Sequence, residues 1–440
     1  MIMRIRTAAI AGAALCLAAT LLPASPAHAA GTVAPAVQIN RDFPDPDIVF
    51  DGTTWHAYAT SSGGIGTVPH ATAPGPAGPW TVVGNALDHK PAWARANHGF
   101  WAPDVSQRPD GSWLLYFTGR HTASGRMCLG AATAASPNGP FVPTSEDTPL
   151  VCNADEGGDI DPSSFVDSDG KRYLLYKNDG NAVQQPAILW LQEVDATGLN
   201  FIGDRTELLR NSAPTDQGVI EAPTLVKRPE GYVLFFSAGV YTKGTYHTSY
   251  ARSATLRGTY TRAYRPLLTT ETVDGAVNGP GGQDVIDNRI WFHGHLAQGG
   301  RGMYTAKLGW FGGNPVMRGS RVRYEAERGK LNDCVVRASS TASEGEVVAK
   351  IDNPTSWVES TVHVPVGGDY TVHISYAAGY GDASQALSVN GAKPVTVNYP
   401  DRGWENWTEV SVNVRLREGA NTLRLTHLSR WAEIDQLEVA

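Results

Sequence analysis

A pattern that recurs five times constrains this chain more than any other feature. Each copy has an acidic residue, a short apolar segment, a turn with Gly or Asn, and then an aromatic segment. The leading acids of successive copies lie 57 to 63 residues apart. Further strand and turn segments lie between the copies, so each repeat holds about four strands. The copies begin at Asp45, Asp104, Asp161, Glu221 and the Gln283-Asp284 pair.

Four strands in a repeat of this length are typical of one blade of a β-propeller, and five repeats predict five blades. The 47 Gly, 28 Pro and many short aromatic and β-branched segments also indicate an all-β protein. Because the innermost strand of a blade starts near the central axis, we expect Asp45, Asp104, Asp161 and Glu221 to surround one funnel. Acids that only cap turns are the alternative, although Glu does this poorly.

The repeats are flanked by two different segments. Residues 1–30 combine an early positive charge, a short apolar run and the Ala27-His28-Ala29 cleavage pattern, which predicts a signal peptide and a secreted, extracellular protein. The predicted propeller covers residues 31–317. Residues 318–440 alternate apolar and polar residues in short segments, which predicts a β-sandwich. In an oxidising compartment Cys128 and Cys152 are close enough in sequence to form a disulfide, whereas Cys334 is expected to be a buried small residue.

Charge and composition exclude several kinds of partner. The formal charge of −7 and the lack of a Lys and Arg stripe argue against nucleic acid. No segment after the signal peptide is long and apolar enough to span a bilayer, so we expect no membrane anchor. Motifs for a nucleophile elbow, a phosphate loop or a zinc site are missing from the sequence. We expect a monomer that binds a polysaccharide or oligosaccharide.

Several carboxylates in one funnel supply both an acid and a base. Burial and mutual repulsion raise the pKa of at least one, which leaves a proton donor beside an ionised acceptor. Glycosidic bonds are hydrolysed with this equipment. Asp47 is a second candidate beside Asp45, because alternation along a strand puts both on one face. The Asp-Pro pair that recurs at Asp161 favours Asp45.

Five motifs together carry a family resemblance. They are Phe43-Pro-Asp-Pro-Asp-Ile-Val, Trp101-Ala-Pro-Asp-Val, Ile160-Asp-Pro-Ser-Ser-Phe, Glu221-Ala-Pro-Thr-Leu and Gly279-Pro-Gly. In this order and spacing they resemble glycoside hydrolase family 43, from about residue 38 to 317. The resemblance implies an inverting enzyme in which Asp45 is the general base, Glu221 is the general acid, and Asp161 tunes the pKa of the acid and orients it.

The same resemblance implies arabinose- or xylose-containing plant cell-wall polysaccharides as substrates, with α-L-arabinofuranosidase as the first expectation. A β-xylosidase or an exo-galactanase of the same fold is the alternative within the class. A non-catalytic, lectin-like sugar-binding protein is the alternative from another class, although binding alone does not require a paired acid and base.

Other residues are candidates for contacts with the substrate. Trp101 is a candidate stacking platform for a sugar ring, with a buried core Trp as the alternative. Asp104 is interpreted as a support for the sugar or for Trp101. Arg301 resembles the late arginine of the family that reaches the pocket, with a surface salt bridge as the alternative.

The fifth copy departs from the family pattern. Many members have a His after Gly-Pro-Gly that helps to hold an axial calcium ion, whereas Gly282 and Gln283 follow here. This departure puts the axial calcium in doubt. Gln283 is therefore a candidate for binding substrate, and Gln283, His293 or His295 for holding water or a metal instead.

The C-terminal segment carries its own resemblance. The opening Tyr324-Glu-Ala-Glu, the central Leu387-Ser-Val-Asn-Gly and the closing Ile434-Asp-Gln-Leu-Glu-Val resemble carbohydrate-binding modules of families 6 and 35. This resemblance implies a structural calcium ion, which prefers carboxylate oxygens; pairing of the acids with Arg is the alternative. The implied ligands are Glu325, Glu327 and Asp435. Among the loop aromatics, some of which must be core, Trp431 is the preferred sugar contact over Tyr380, Trp404 and Trp407.

Overall fold

The computed structural model describes residues 33–61 and 66–440, in which the protein is all-β. The predicted signal peptide lies outside the described residues. Within them, no helix is long and apolar enough to cross a membrane. Short 3-10 segments interrupt the strands at Ala154–Glu156, Gly180–Val183, Pro214–Asp216, Ala326–Arg328 and Ser343–Gly345.

Four sheets each take four antiparallel strands in chain order. The first contains β2 (Asp47–Phe50), β3 (Trp55–Tyr58), β4 (Pro69–Ala73) and β5 (Thr81–Asn85). The second contains β6 (Trp101–Gln107), β7 (Trp113–Arg120), β8 (Met127–Ala134) and β9 (Val142–Pro143). The third contains β10 (Asp159–Val166), β11 (Arg172–Asn178), β12 (Ile188–Val194) and β13 (Phe201–Arg210). The fourth contains β14 (Ile220–Arg228), β15 (Gly231–Ala238), β16 (His247–Ser253) and β17 (Thr261–Arg262).

The fifth sheet joins the two ends of this part of the chain. Its strands are β18 (Asn278–Ile286), β19 (Arg289–His295), β20 (Arg301–Phe311), β21 (Asn314–Met317) and, from the N-terminal side, β1 (Ala36–Ile39). β1 pairs antiparallel with β20, and Ala36 lies opposite Thr305. The early strand therefore completes a sheet whose other strands come more than 200 residues later.

Alternation along the strands buries both faces of each sheet. In β7, Leu115 and Phe117 pack into a core shared with the first sheet, whereas Leu114 and Tyr116 pack into one shared with the third. Similar cores join the third sheet to the fourth and the fourth to the fifth. A further core that contains Trp291 joins the fifth sheet to the first. The five inter-sheet cores thus close into a ring.

The entry to each of the five sheets has one residue in the left-handed backbone region, where an L side chain is strained. Its φ angle lies between 39° and 58°, and in four of the five copies a Pro follows. The backbone N–H donates to a side chain of the preceding sheet, as from Ala102 to Thr60 (2.8 Å) and from Asp161 to Thr118 (3.2 Å). These residues are Asp45, Ala102, Asp161, Ala222 and Gly282.

Two more sheets follow and share one apolar core. One contains β22 (Val322–Glu325), β24 (Val335–Ala338), β25 (Glu346–Ala349), β27 (Gly368–Ala378), β30 (Gly403–Leu416) and β32 (Glu433–Val439). The other contains β23 (Lys330–Asn332), β26 (Trp357–Val364), β28 (Ala383–Val389), β29 (Val395–Tyr399) and β31 (Gly419–Ser429).

The predicted disulfide is present, whereas Cys334 is half-buried and not fully buried as expected. Cys128 and Cys152 form a disulfide that ties β8 to the loop before the third sheet. Cys334 is free and half-buried, and its thiol donates a hydrogen bond to the carbonyl of Trp357 at 3.3 Å. Its sulfur therefore packs as a small interior group.

Candidate active site

Corresponding segments of the first five sheets line one central cavity. Each sheet contributes three consecutive residues that begin with its left-handed residue. These segments are 45–47, 102–104, 161–163, 222–224 and 282–284. The repeat therefore brings five distant parts of the chain to one place, as the funnel interpretation expected.

The expectation that four leading acids are equivalent is wrong in detail. Asp45 and Asp161 both occupy the left-handed position, but the second sheet has Ala102 there. Asp104 lies two residues further on and pairs with Tyr116, just as Asp47 pairs with Tyr58. Asp104 therefore corresponds to Asp47, because sequence spacing alone did not fix the register of the first strands.

Glu221 occupies a third kind of position, one residue before the left-handed Ala222. Trp101 occupies the equivalent position in the second sheet. Glu221 lies opposite Ser237 and Trp101 lies opposite Thr118, and in both sheets the register shifts directly after this pair. Trp101 is half-buried and its ring centroid lies 5.3 Å from that of His98. An aromatic ring and the predicted acid thus occupy corresponding positions, each directly before a segment that lines the cavity.

Asp45 is half-buried, and Arg301, His293 and Thr60 surround its carboxylate. Thr60 Oγ1 donates to its Oδ2 at 2.6 Å, while Arg301 Nη1 and His293 Nδ1 lie 3.3 Å and 3.1 Å from its Oδ1. Burial alone would raise the pKa of Asp45, but Arg301, His293 and Thr60 outweigh it and hold that pKa well below its usual range. Asp45 is consequently an ionised carboxylate at any pH near neutrality.

Asp161 and Glu221 form the opposite kind of site, a carboxyl pair that retains a proton. Burial and the Glu221 charge raise the pKa of Asp161 to about 8, against the opposing effect of Lys177. Lys177 Nζ lies 3.2 Å from Glu221 Oε2 and 3.4 Å from Asp179 Oδ1. At neutral pH the pair therefore holds one proton beside a buried ammonium group.

One aromatic contact joins the two carboxyl sites. The hydroxyl of Tyr246 donates to Glu221 Oε1 at 2.8 Å. The ring of Tyr246 stacks on His293, with centroids 5.7 Å apart and planes within 6° of parallel. Since His293 contacts Asp45, the residues that hold the ionised carboxylate and the proton-bearing pair pack directly on each other.

Arg301 lies where the resemblance implied. Besides its contact with Asp45, its guanidinium lies 4.9 Å from the ring centroid of Tyr241 in a cation–π arrangement. The surface salt-bridge alternative is therefore not what the structure shows, because this guanidinium is mostly buried and directed into the site.

Asp104 and Gln283 lie at the cavity but are bonded to neighbouring sheets. Asp104 accepts hydrogen bonds from the backbone N–H of Ser164 (2.8 Å) and from the hydroxyl of the same residue. Gln283 donates to the carbonyl of Ala222 at 2.6 Å and accepts from the hydroxyls of Ser237 and Thr248. Both side chains thus fix the sheets around the cavity.

A second ring of carboxyl groups lines the same cavity. Burial raises the pKa of Asp104 to about 6. Burial and the charge of Asp104 raise the pKa of Asp284 to about 7. Burial and the charges of Asp104 and Asp284 also raise the pKa of Asp47. Each accepts a backbone N–H from the next sheet, as Asp47 does from Val105 at 2.9 Å. These acids therefore pin successive sheets together.

A metal ion needs several His, Cys, Asp or Glu side chains close together. Among the described residues, the one group of three whose ligand atoms all lie within 4.8 Å of one another is His121, Cys128 and Cys152. Its two sulfurs form the disulfide, so it offers no thiolate. His295 is bonded by its Nε2 to the carbonyl of Tyr241 at 2.9 Å.

The three acids predicted to bind calcium lie at one end of the C-terminal sheets. Glu325 Oε2 and Glu327 Oε2 are buried without a hydrogen-bond partner. Asp435 accepts hydrogen bonds from the backbone of Ser343 and from Ser375, both at 3.0 Å. Burial raises the pKa of Glu325 to about 7 and also raises those of Glu327 and Asp435. The two unpartnered oxygens suit a hard cation such as calcium, but the three acids do not bring one oxygen each to within 4.8 Å of one another.

Trp431 lies on the surface of the C-terminal part, away from the five-sheet cavity. It is 47% exposed and packs edge-to-face on Tyr380, which in turn packs edge-to-face on Trp404. Trp407 instead donates its indole N–H to Thr341 at 3.1 Å. The three contacting rings form an exposed aromatic surface of the kind that stacks on sugars.

Sequence reasoning did not find Lys177 and Tyr246. Lys177 follows the apolar Tyr173–Tyr176 segment, and a lysine in such a buried strand is a signal that a charged partner is nearby. Tyr246 carries no comparable signal, because its contact with Glu221 depends on the path of the loop before β16.

An ionised carboxylate and a proton-bearing carboxyl pair beside one cavity are the groups that glycoside hydrolases use. Residues 36–326 match the family model of glycosyl hydrolases family 43, and residues 322–440 match carbohydrate binding module family 35. The chain therefore belongs to glycosyl hydrolases family 43. Of the two module families that the sequence resembled, family 35 is the one confirmed.

Two curated relatives illustrate the range of the family. A xylosidase/arabinosidase of Butyrivibrio fibrisolvens is 29% identical over 254 residues, which cover 53% of this chain and 47% of the relative. A probable arabinan endo-1,5-α-L-arabinosidase C of Aspergillus flavus is 26% identical over 264 residues, which cover 54% and 79%. The match thus spans about half the length of the first relative.

Two solved structures share the fold. A thermostable family-43 glycoside hydrolase has a TM-score of 0.58 at 22% identity and covers 65% of this chain and 96% of its own. An exo-β-1,3-galactanase from Phanerochaete chrysosporium has a TM-score of 0.50 at 19% identity and covers 92% and 99%. The second match extends over both parts of the chain.

Proposed function

We propose that the protein is a secreted, inverting glycoside hydrolase that releases sugars from arabinose- or xylose-containing plant cell-wall polysaccharides. Its proposed specific activity is that of an α-L-arabinofuranosidase. The observation that carries the proposal is that ionised Asp45 and proton-bearing Asp161 line one cavity, with Glu221 directly before the lining residue Ala222. An inverting reaction needs such a base and acid on opposite sides of the scissile bond.

In this mechanism Asp45 accepts a proton from a water molecule, which attacks the anomeric carbon. Glu221 donates a proton to the leaving glycosidic oxygen as the bond breaks. Asp161, through its charge and its contact with the backbone N–H of Ala222 (2.9 Å), keeps the proton on the pair and orients Glu221. The net change is one water consumed, with one sugar released in the inverted configuration.

Neighbouring side chains prepare both groups. Arg301 and His293 keep Asp45 ionised before the water binds. Lys177 and Tyr246 contact the two oxygens of Glu221 and so limit its rotation. Preorganised partners of this kind remove reorganisation from the chemical step.

We also propose that residues 31–317 form a five-bladed β-propeller and residues 318–440 a β-sandwich. The ring of five inter-sheet cores supports the propeller, because five sheets around one axis each pack on two neighbours. The core that the last two sheets share supports the sandwich.

For the module we propose two separate tasks. Glu325, Glu327 and Asp435 hold a structural calcium ion, and the unpartnered buried oxygens of the two Glu residues support this. The surface around Trp431 binds the polysaccharide and keeps the enzyme near it. The protein acts as a monomer.

A specific observation favours an exo-acting galactanase as a second candidate. The Phanerochaete chrysosporium exo-β-1,3-galactanase aligns with both the five-sheet part and the module, whereas the thermostable family-43 enzyme covers 65% of the chain. A panel of nitrophenyl α-L-arabinofuranoside, nitrophenyl β-D-xyloside and β-1,3-galactotriose separates these activities.

The substitution Glu221→Gln tests the proposal. It should abolish turnover of the panel substrate that the wild type hydrolyses, while binding to polysaccharide persists. Glu230→Gln, at the outer turn of the same sheet, is the matched control and should keep turnover. Proton NMR of the first product anomer reports the stereochemistry. Retained activity in Glu221→Gln, or a product of retained configuration, contradicts the assignment, and binding without any turnover by the wild type favours the lectin-like alternative.

A further inference from the structure

A cleft of about 750 Å³ lies between the five-sheet part and the module. Its walls come from the outer strands of the fourth sheet, from the turn between β20 and β21, and from the start of the module. This volume lies in the range of about 300–1,000 Å³ that small-molecule sites occupy. Glu221 stands at the start of β14, whereas the cleft is lined by the outermost strand β17, so the cleft is separate from the catalytic cavity.

Aromatic side chains are left open on the wall of this cleft. Tyr264 is 78% exposed and Phe311 is 42% exposed. Phe311 also stacks on His363 of the module, with centroids 3.5 Å apart, so the two parts are held together at this point. A tyrosine ring presents an apolar face and a polar edge, which is the combination that a sugar ring requires.

Polar groups in the cleft are fixed but not saturated. Arg321 bonds to Asp274 and to Glu409, both at 2.8 Å, which holds its guanidinium in place. A guanidinium has five N–H donors, so such pairs leave donors for a ligand. Sugar hydroxyls would accept hydrogen bonds from the remaining N–H groups.

The charge balance of the cleft indicates a neutral ligand. Most of the basic residues in its wall pair with a carboxylate and so create little demand for an anion. Among the residues that the structure describes, Arg252 and Lys330 are the basic residues of the wall that form no ion pair. The paired residues are Arg262, Arg265, Arg321, Arg323 and Arg328.

We propose that this cleft is a second carbohydrate-binding site, which takes a neutral oligosaccharide segment with Tyr264 as its stacking platform. It holds the polysaccharide against both parts of the chain while the central cavity acts elsewhere on it. The inference rests on the proposed function for the class of ligand, but it does not require catalysis.

Calorimetric titration tests this site in the full chain that carries Trp431→Ala and Glu221→Gln, so that the exposed aromatic surface of the module contributes little and the probes are not hydrolysed. The probes are α-1,5-arabinotetraose, β-1,4-xylotetraose and β-1,3-galactotriose. Adding Tyr264→Ala should weaken binding of the best probe about tenfold, which corresponds to the loss of one stacking contact. Phe201→Ala, which removes a 43% exposed ring from β13, is the matched control and should leave affinity unchanged.

Hydrogen exchange provides a measurement that does not depend on a substitution. Saturation with the best probe should slow exchange in residues 261–266 and 328–330. The proposal is overturned if Tyr264→Ala binds like its parent, if these amides are unaffected, or if none of the neutral probes binds. If the probes bind through Tyr264 but the wild-type chain hydrolyses nothing in the substrate panel, the binding site in the cleft stands and the proposed function is refuted. If the wild-type chain hydrolyses a panel substrate but binding does not depend on Tyr264, only the binding site in the cleft is refuted.

Discussion

The two parts of the chain each bury a group of three acids, and they compensate the burial in opposite ways. In the central cavity, Arg301 and Lys177 lie next to Asp45 and Glu221, so the countercharges are built into the fold. In the module, one oxygen each of Glu325 and Glu327 is buried with no partner. A buried carboxylate without a partner is costly.

This difference separates chemistry from structure. Acids that must change protonation during turnover need partners that stay in place while a proton moves, and a protein cation does this. Acids that only stabilise the fold can leave their countercharge to an ion from solution. The comparison therefore predicts that the same amide substitution affects turnover in one group and stability in the other.

The largest expected effect comes from Asp45→Asn. The amide keeps the shape of the side chain but cannot accept a proton from water, so kcat should fall about 10²–10⁴-fold, as for loss of a general base. Glu327→Gln is the matching change in the module and should leave kcat almost unchanged. Steady-state kinetics on the preferred panel substrate measure both, and equal losses in the two variants would remove the distinction.

The proton-bearing pair sets the next prediction. Since the pKa of Asp161 is raised to about 8, kcat/KM should decline as the pH rises through about 8 and the pair loses its last proton. Asp161→Asn removes a like charge, so this decline should move to lower pH. Lys177→Met removes a cation that favours the ionised pair, so the decline should move to higher pH.

The pH profiles of kcat/KM separate these effects from simple damage to the fold. Lys177→Arg keeps the charge and should keep the position of the decline. Shifts of Asp161→Asn and Lys177→Met in the same direction would show that the pair does not share a proton in the way inferred here.

The sequence indicated the repeat and the three acids that the proposed mechanism uses. It did not predict the left-handed backbone at Asp45 and Asp161, because a residue before Pro usually takes an extended conformation. The role of Asp104 was misplaced because an acid before an apolar segment does not reveal its register against the next strand. Asp104 was interpreted as a support for the sugar or for Trp101, but it lies two residues beyond the left-handed position and bonds to Ser164 of the next sheet.

The partners of these acids could not be predicted for a different reason. His293 lies 248 residues from Asp45, and Lys177 lies 44 residues from Glu221. Such contacts depend on how neighbouring sheets pack around the cavity, and no local pattern encodes that. The resemblance supplied roles for the acids and for Arg301, but not for His293, Lys177 or Tyr246.

Calcium should stabilise the module in a pH-dependent way. Because the folded pKa of Glu325 is raised to about 7, the metal-free module should be most stable below its unfolded pKa and lose stability as the pH rises through 7. Free calcium at about 100 times its Kd would add about 2.7 kcal/mol. The gain should therefore be larger at pH 8 than at pH 5.

Scanning calorimetry with calcium chloride or EGTA measures this gain. Glu327→Gln should lose most of it, whereas Glu346→Gln, an exposed acid of the same module, should keep it. If EGTA does not change the melting curve at pH 8, the charges of these acids are balanced by the protein itself and not by calcium. The module would then not differ from the central cavity in this respect.

The smallest expected effect concerns the surface of the module. Trp431→Ala removes a ring that is 47% exposed and contacts Tyr380, so affinity for insoluble polysaccharide should fall by roughly tenfold or less, as for one stacked ring. Leu428→Ala removes a similarly exposed apolar side chain nearby and should leave binding unchanged. Pull-down isotherms compare the two variants. An equal loss in both would mean that general apolar contact, and not stacking by Trp431, brings the module to its ligand.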